Sequence, residues 1–130
     1  MLNNTNQKKI YRWVLLRHID APNDSQGIHF DLLLEDQNFC RTWRLSDIPL
    51  LDGPYVEAIY TMPHKLYWLD IQEKIISDNR GVATRIKKGI FLKSLPCIQT
   101  SYINSSLFWE DIHVDLVIDK KGCRINRKKI

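Results

Sequence analysis

Between residues 28 and 35 apolar and polar side chains take turns. Ile28, Phe30, Leu32 and Leu34 hold one parity; His29, Asp31 and Glu35 fall on the other. A period of two sends successive side chains to opposite faces of an extended chain, so the pattern predicts a strand with one greasy face. A strand is also predicted over 10–18 (IYRWVLLRH), before the loop-forming 21–27 (APNDSQG). The segment 39–45 (FCRTWRL) returns after a short polar turn and forms a hairpin with 28–35.

Further along, 50–55 (LLDGPY) reads as a turn and the aromatic-rich 64–71 (HKLYWLDI) as a strand. The stretch 77–81 (SDNRG) breaks the pattern, 82–88 (VATRIKK) resumes it, and Gly89 punctuates it. HVDLVIDKKGCRINRK reads as two strands around a Lys-Gly turn. Helical periodicity is nearly absent; a short helix is expected at most around 46–51 or 105–111. Many short strands with frequent turns predict a mainly all-β fold, a compact antiparallel β-barrel with at most one or two short helices. Residues 1–9 read as a flexible lead and 10–130 as a single domain. A small barrel fills its interior with side chains, so function belongs on an outer face or at the rim.

Composition adds limits rather than an answer. The chain has 130 residues, 44% hydrophobic and 26% charged, which is ordinary for a globular domain. No run approaches the roughly 18 apolar residues of a membrane span, and the N-terminus has no apolar signal-peptide core. Cys40, Cys97 and Cys123 are odd in number and form no C-x-x-C pair, which argues against a disulfide framework or structural zinc. A cytoplasmic location without a membrane partner is the expectation. The net charge of +4, clustered at QKKIYR, RIKK and NRKKI, is compatible with a polyanion partner and equally with a solvated basic rim.

The candidate chemistry lies in four histidines: His18, His29, His64 and His113. His29 and Asp31 share a strand face, close enough for both to reach one ion. Imidazole and carboxylate together suit a divalent cation such as Mn²⁺, Zn²⁺ or Fe²⁺, with a third ligand from a neighbouring strand. A solvated polar face explains an H-x-D pair just as simply. His113 and Asp115 form a second such pair, and spacing alone does not rank the two.

The ordered set LLRH, IHFDLLLE, TWRL and HKLYWLDIQEKI…NRGVATRIKKG, spanning residues 10 to about 92, resembles the phosphoesterase domain of bacterial DNA ligase D. It is closest to small stand-alone relatives of that domain. The resemblance implies a compact β-barrel that uses a divalent metal, Mn²⁺ preferred, to remove 3′-phosphates or 3′-terminal ribonucleotides in DNA end repair. It implies His18, His29 and Asp31 as metal ligands. His64 would contact the scissile phosphate, making His64, His29 and Asp31 the catalytic set. Nucleic-acid 3′ ends are the implied partner, with a separately encoded ligase a further one.

The chain departs from that family pattern in three places. Leu33 stands where the family has an arginine that would grip phosphate on the metal face, and Trp68 stands where it has a tyrosine. His18 and His29 are eleven positions apart because DAPNDSQG lengthens the loop. The alternative is therefore a barrel that binds nucleic acid or a repair partner, its catalysis decayed. Restoring Arg at 33 and Tyr at 68 would separate the readings. Arg17, Arg44 and Arg80 could replace the missing cation, although each reads first as a surface charge. Trp13 and Trp43 read as core, Trp68 as a neighbour of the site, and Glu35 as a structural hydrogen-bond acceptor.

Overall fold

Every strand pairing in the computed structural model is antiparallel, apart from one isolated parallel bridge. The structure describes residues 10–21, 27–76, 80–96 and 102–129, so the expected lead over 1–9 lies outside the described residues. The strands are β1 (Tyr11–Ile19), β2 (Ile28–Glu35), β3 (Cys40–Leu45), β4 (Ala58–His64), β5 (Glu73–Ile75), β6 (Val82–Phe91), β7 (Ile103–Trp109), β8 (Ile112–Asp119) and β9 (Gly122–Arg127). Among the described residues the only helical element is a 3-10 turn, Leu66–Asp70. None is long and apolar enough to cross a membrane.

The all-β antiparallel class therefore holds. The pairings divide into two sheets, in the orders β4-β3-β2-β1-β6-β5 and β7-β8-β9. No continuous ladder closes them into one ring among the described residues. On one side the β3–β4 connection meets β9 through isolated bridges, Leu51 to Ile125 and Val56 to Cys123, and through Asp52, whose carboxylate accepts the Arg127 backbone N–H at 2.8 Å. On the other, the Trp13 indole N–H donates to the Phe108 carbonyl at 2.9 Å, joining β1 to β7 across β6. Gly89 lies at this crossing, where a Cβ would collide with the Phe108 carbonyl and the Trp13 ring. It is a strand residue chosen for close approach, not the punctuation its sequence context implied.

Alternation sorts the larger sheet into two faces. Trp13, Leu15, Leu32, Leu34, Trp43 and Leu45 pack against Leu107, Trp109, Val114, Leu116 and Ile125 of the smaller sheet. Trp13 stacks on Trp109 at 4.5 Å between ring centroids, worth about 0.5–1.5 kcal/mol beyond the area buried. Trp13 and Trp43 are core residues, as their sequence context implied.

The opposite face carries a second apolar cluster of Val14, Leu16, Leu33, Cys40 and Leu69. The 3-10 turn covers it, with Leu66 and Trp68 packed alongside. This segment was expected to be a strand; its aromatic content instead serves as a lid. Arg12 pairs with Asp70 at 2.6 Å and Arg85 donates to the Leu69 carbonyl at 3.3 Å, which fastens the lid. The strand that precedes it is β4. The helix expected around 105–111 is replaced by β7, and 46–51 contains no helix.

Candidate metal centre

The site grows out of the β1–β2 pairing. His18 and His29 are Cα partners in the ladder, and Leu16 is opposite Asp31. The intervening loop is closed at its neck, where the backbone N–H groups of Asp20 and Ala21 both donate to the Gly27 carbonyl. Asp20 and Gly27 turn the chain there with positive φ of 63° and 74°. The sequence separation of the two histidines is thus absorbed outside the ladder. Residues 22–26 of that loop lie outside the described residues.

His18, His29 and Asp31 converge, their ligand atoms all within 4.8 Å of one another. His29 Nε2 stands 3.3 Å from each carboxylate oxygen of Asp31. Two ligands at about 2.1 Å from one ion lie about 3.0–3.4 Å apart, so this edge already has the right length. The His18 ring packs edge-on against His29 at 4.8 Å. His18 Nε2 donates to the Arg80 carbonyl, which can only accept, so Nδ1 keeps the lone pair. A backbone acceptor that fixes the tautomer and orientation of an imidazole is the usual support behind a ligating histidine.

Burial separates this pair from the other H-x-D. His29 is 3% and Asp31 8% exposed. The solvated-face explanation therefore does not apply to them. A buried carboxylate needs a polar or cationic partner, and among the described residues the imidazole of His29 is the one basic group within 4 Å of Asp31. At the second pair His113 is exposed and stacks on Phe108. Asp115 there is already paired with Lys128 at 3.0 Å. The cluster of His18, His29 and Asp31 could hold a metal ion, and its two imidazoles and one carboxylate fit a divalent cation.

These residues open on a cavity of about 340 Å³ that His64, Trp68, Arg44 and Arg80 also line. His64 enters from β4, whose end pairs with Cys40. Thr42 Oγ1 donates its one proton to the Cys40 carbonyl at 3.1 Å and lies 3.0 Å from His64 Nδ1. Nδ1–H must then donate to Thr42, leaving Nε2 as the basic atom of the ring. Burial lowers the His64 pKa below its ordinary 6.5, against the opposing pull of Asp31. Trp68 meets the His64 ring edge-on at 5.8 Å.

Two positions read from the sequence change meaning. Leu33, on the face of Asp31, is 0% exposed and sits within the apolar cluster under the 3-10 turn. Arg44 is not a plain surface charge: it is Asp31's partner across β2–β3, and its Nε is buried. The clue was in the hairpin register, since a turn at 36–39 puts 44 opposite 31. Arg80 is exposed at the cavity mouth and Arg17 is exposed on β1. Glu35 accepts the Arg12 backbone N–H at 2.8 Å, the structural role expected of it.

No known family model matches this chain, and no curated protein matches it.

Proposed function

We propose that this protein is a divalent-metal-dependent phosphoesterase acting on 3′ ends of nucleic acid, removing a 3′-phosphate or a 3′-terminal ribonucleotide. The observation that carries the reading is the convergence of His18, His29 and Asp31 beside His64 in one cavity. The motif resemblance to the phosphoesterase domain of DNA ligase D supplies the substrate class. Mn²⁺ is the proposed ion, held by His18, His29 and Asp31. When bound it would polarise a phosphoryl oxygen and lower the pKa of water.

The chain's own groups do the rest. The Arg80 carbonyl orients His18, and His29 and Asp31 present their donor atoms from one strand face. Burial favours the neutral His64 ring, so its Nε2 can take a proton from the attacking water and pass it to the leaving oxygen. Trp68 walls the cavity beside it; its indole N–H donates but supplies no acid.

The test is end processing of a primer carrying a 3′-phosphate or a terminal ribonucleotide, with Mn²⁺ present. Turnover that disappears in His29→Ala and Asp31→Ala supports the proposal. Wild-type protein that binds Mn²⁺ and such ends yet leaves them intact defeats it. That result would support the second reading, a nucleic-acid- or repair-partner-binding protein with decayed catalysis, which Leu33 and Trp68 favour. A flat salt dependence of DNA binding would instead point to a phosphoester outside nucleic acid, because a polyanion binder must release counterions.

A further inference from the structure

The phosphoesterase reading leaves one gap. A phosphate bound beside a metal also needs a cation to hold its remaining oxygens, and Leu33 offers none. Resting on that reading, we propose that Arg44 is this chain's phosphate clamp, reaching the cavity from β3 beside Asp31.

Three observations converge on it. Arg44 is the direct cross-strand neighbour of Asp31, and such neighbours stand about 5 Å apart. Both side chains therefore leave the same face of the sheet. Arg44 also lines the cavity that holds His18, His29, Asp31 and His64. Its Nε is buried and makes no hydrogen bond to any described residue. It forms no ion pair with Asp31 either, despite the register. A buried donor without an acceptor is costly, and an anion in the cavity would satisfy it.

Three other arginines on this sheet are engaged elsewhere, and Arg80, which also lines the cavity, is exposed at its mouth rather than seated beside Asp31. Arg12 is paired with Asp70, Arg41 with Asp36, and Arg85 donates to the Leu69 carbonyl. Arg17 is exposed beside the ligand His18 but opposite in parity to it. The planar fork of Arg44 suits the two oxygens of a terminal phosphate, so the substrate class it selects is a 3′-phosphomonoester over a 3′-hydroxyl.

The experiment compares wild type, Arg44→Gln, Arg44→Lys and Arg17→Gln. Anisotropy measures binding of a fluorescent oligodeoxynucleotide ending in 3′-phosphate or 3′-hydroxyl, with Mn²⁺ present. Electron paramagnetic resonance measures Mn²⁺ affinity separately. Arg44→Gln should hold Mn²⁺ within about twofold of wild type and lose about tenfold or more of the preference for the phosphate end. Arg44→Lys should keep part of it, and Arg17→Gln all of it. Arg44→Lys preserves charge and bulk, so it decides the matter if the Gln variant does not fold. The proposal is overturned if wild type has no preference for the phosphate end, if Arg44→Gln and Arg44→Lys both retain it, or if Arg17→Gln loses as much. An absence of turnover in wild type would count against the phosphoesterase reading alone, because the preference is read from binding.

Discussion

His18 and His29 face each other across the β1–β2 ladder with ring centroids 4.8 Å apart, although eleven positions separate them in the chain. The neck at Asp20, Ala21 and Gly27 makes this possible. Lengthening a closed loop costs only about 0.6 kcal/mol per doubling, so the two-histidine pair tolerates the inserted residues. Shortening the loop between residues 22 and 26 while keeping the neck should leave metal affinity within a few-fold, measured by calorimetry.

Asp31 sets the candidate metal site against the stability of the metal-free protein. Its carboxyl group is buried, 3.3 Å from one imidazole. Asp31→Asn removes the carboxylate charge at constant shape. The metal-free variant should be as stable as wild type or up to about 2 kcal/mol more stable in urea, and should gain nothing from added Mn²⁺. Wild type should gain about 2.7 kcal/mol at a hundredfold excess of Mn²⁺ over its Kd. Asp115→Asn should leave that gain intact.

Leu33→Arg tests whether the family's arginine fits here. The residue is fully enclosed by Val14, Leu16, Cys40 and Leu69. A guanidinium there should cost about 3–5 kcal/mol of stability, read from a urea midpoint, and should not raise turnover. A folded variant with increased turnover would contradict the packing described. The substitution therefore reports on packing more than on whether catalysis has decayed.

His64 gives a pH dependence with a definite sign. Burial lowers its pKa, so the folded state prefers the neutral ring. Its contribution to stability is present above the unfolded value of about 6.5 and is lost as pH falls below it. Nitrogen NMR of the metal-free protein should show a midpoint below 6.5 and Nδ1 as the protonated nitrogen. A midpoint above 6.5 would show that Asp31 outweighs burial.

Cys40 and Cys123 give the opposite limb. Burial pushes both thiols from 9.0 up to about 12. A raised thiol pKa leaves stability intact below about 9 and erodes it as pH rises from there toward 12. Both thiols should resist a disulfide reagent at pH 8 until urea unfolds the protein.

The sequence was most legible where one physical rule acted alone. Strand β2 follows from alternation, and β8 and β9 follow from alternation plus a tight turn. His18, His29 and Asp31 lie on regular strands, so alternation put His29 and Asp31 on one face. Spacing ranked them no higher than His113 and Asp115, and the motif resemblance singled them out. Legibility failed where packing overrode local preference. The aromatic run around Trp68 has strand composition but forms a 3-10 lid, because Leu66, Trp68 and Leu69 cover the cluster beneath. Strand β7 was mistaken for a possible helix because its polar residues hide the period of two. Arg44 was a candidate cation that read first as a surface charge, because its place beside Asp31 lies in cross-strand register. Burial, which ranks His29 and Asp31 above His113 and Asp115, is a property of the assembled sheets.

The central claim is that His18, His29 and Asp31 hold one divalent cation. Crystals grown with Mn²⁺ and measured for its anomalous scattering test it most directly. The account predicts a single strong peak within about 2.3 Å of a donor atom from each of the three residues. A Mn²⁺ peak at another site with none here, or these three side chains ordered around no peak at saturating Mn²⁺, would contradict it.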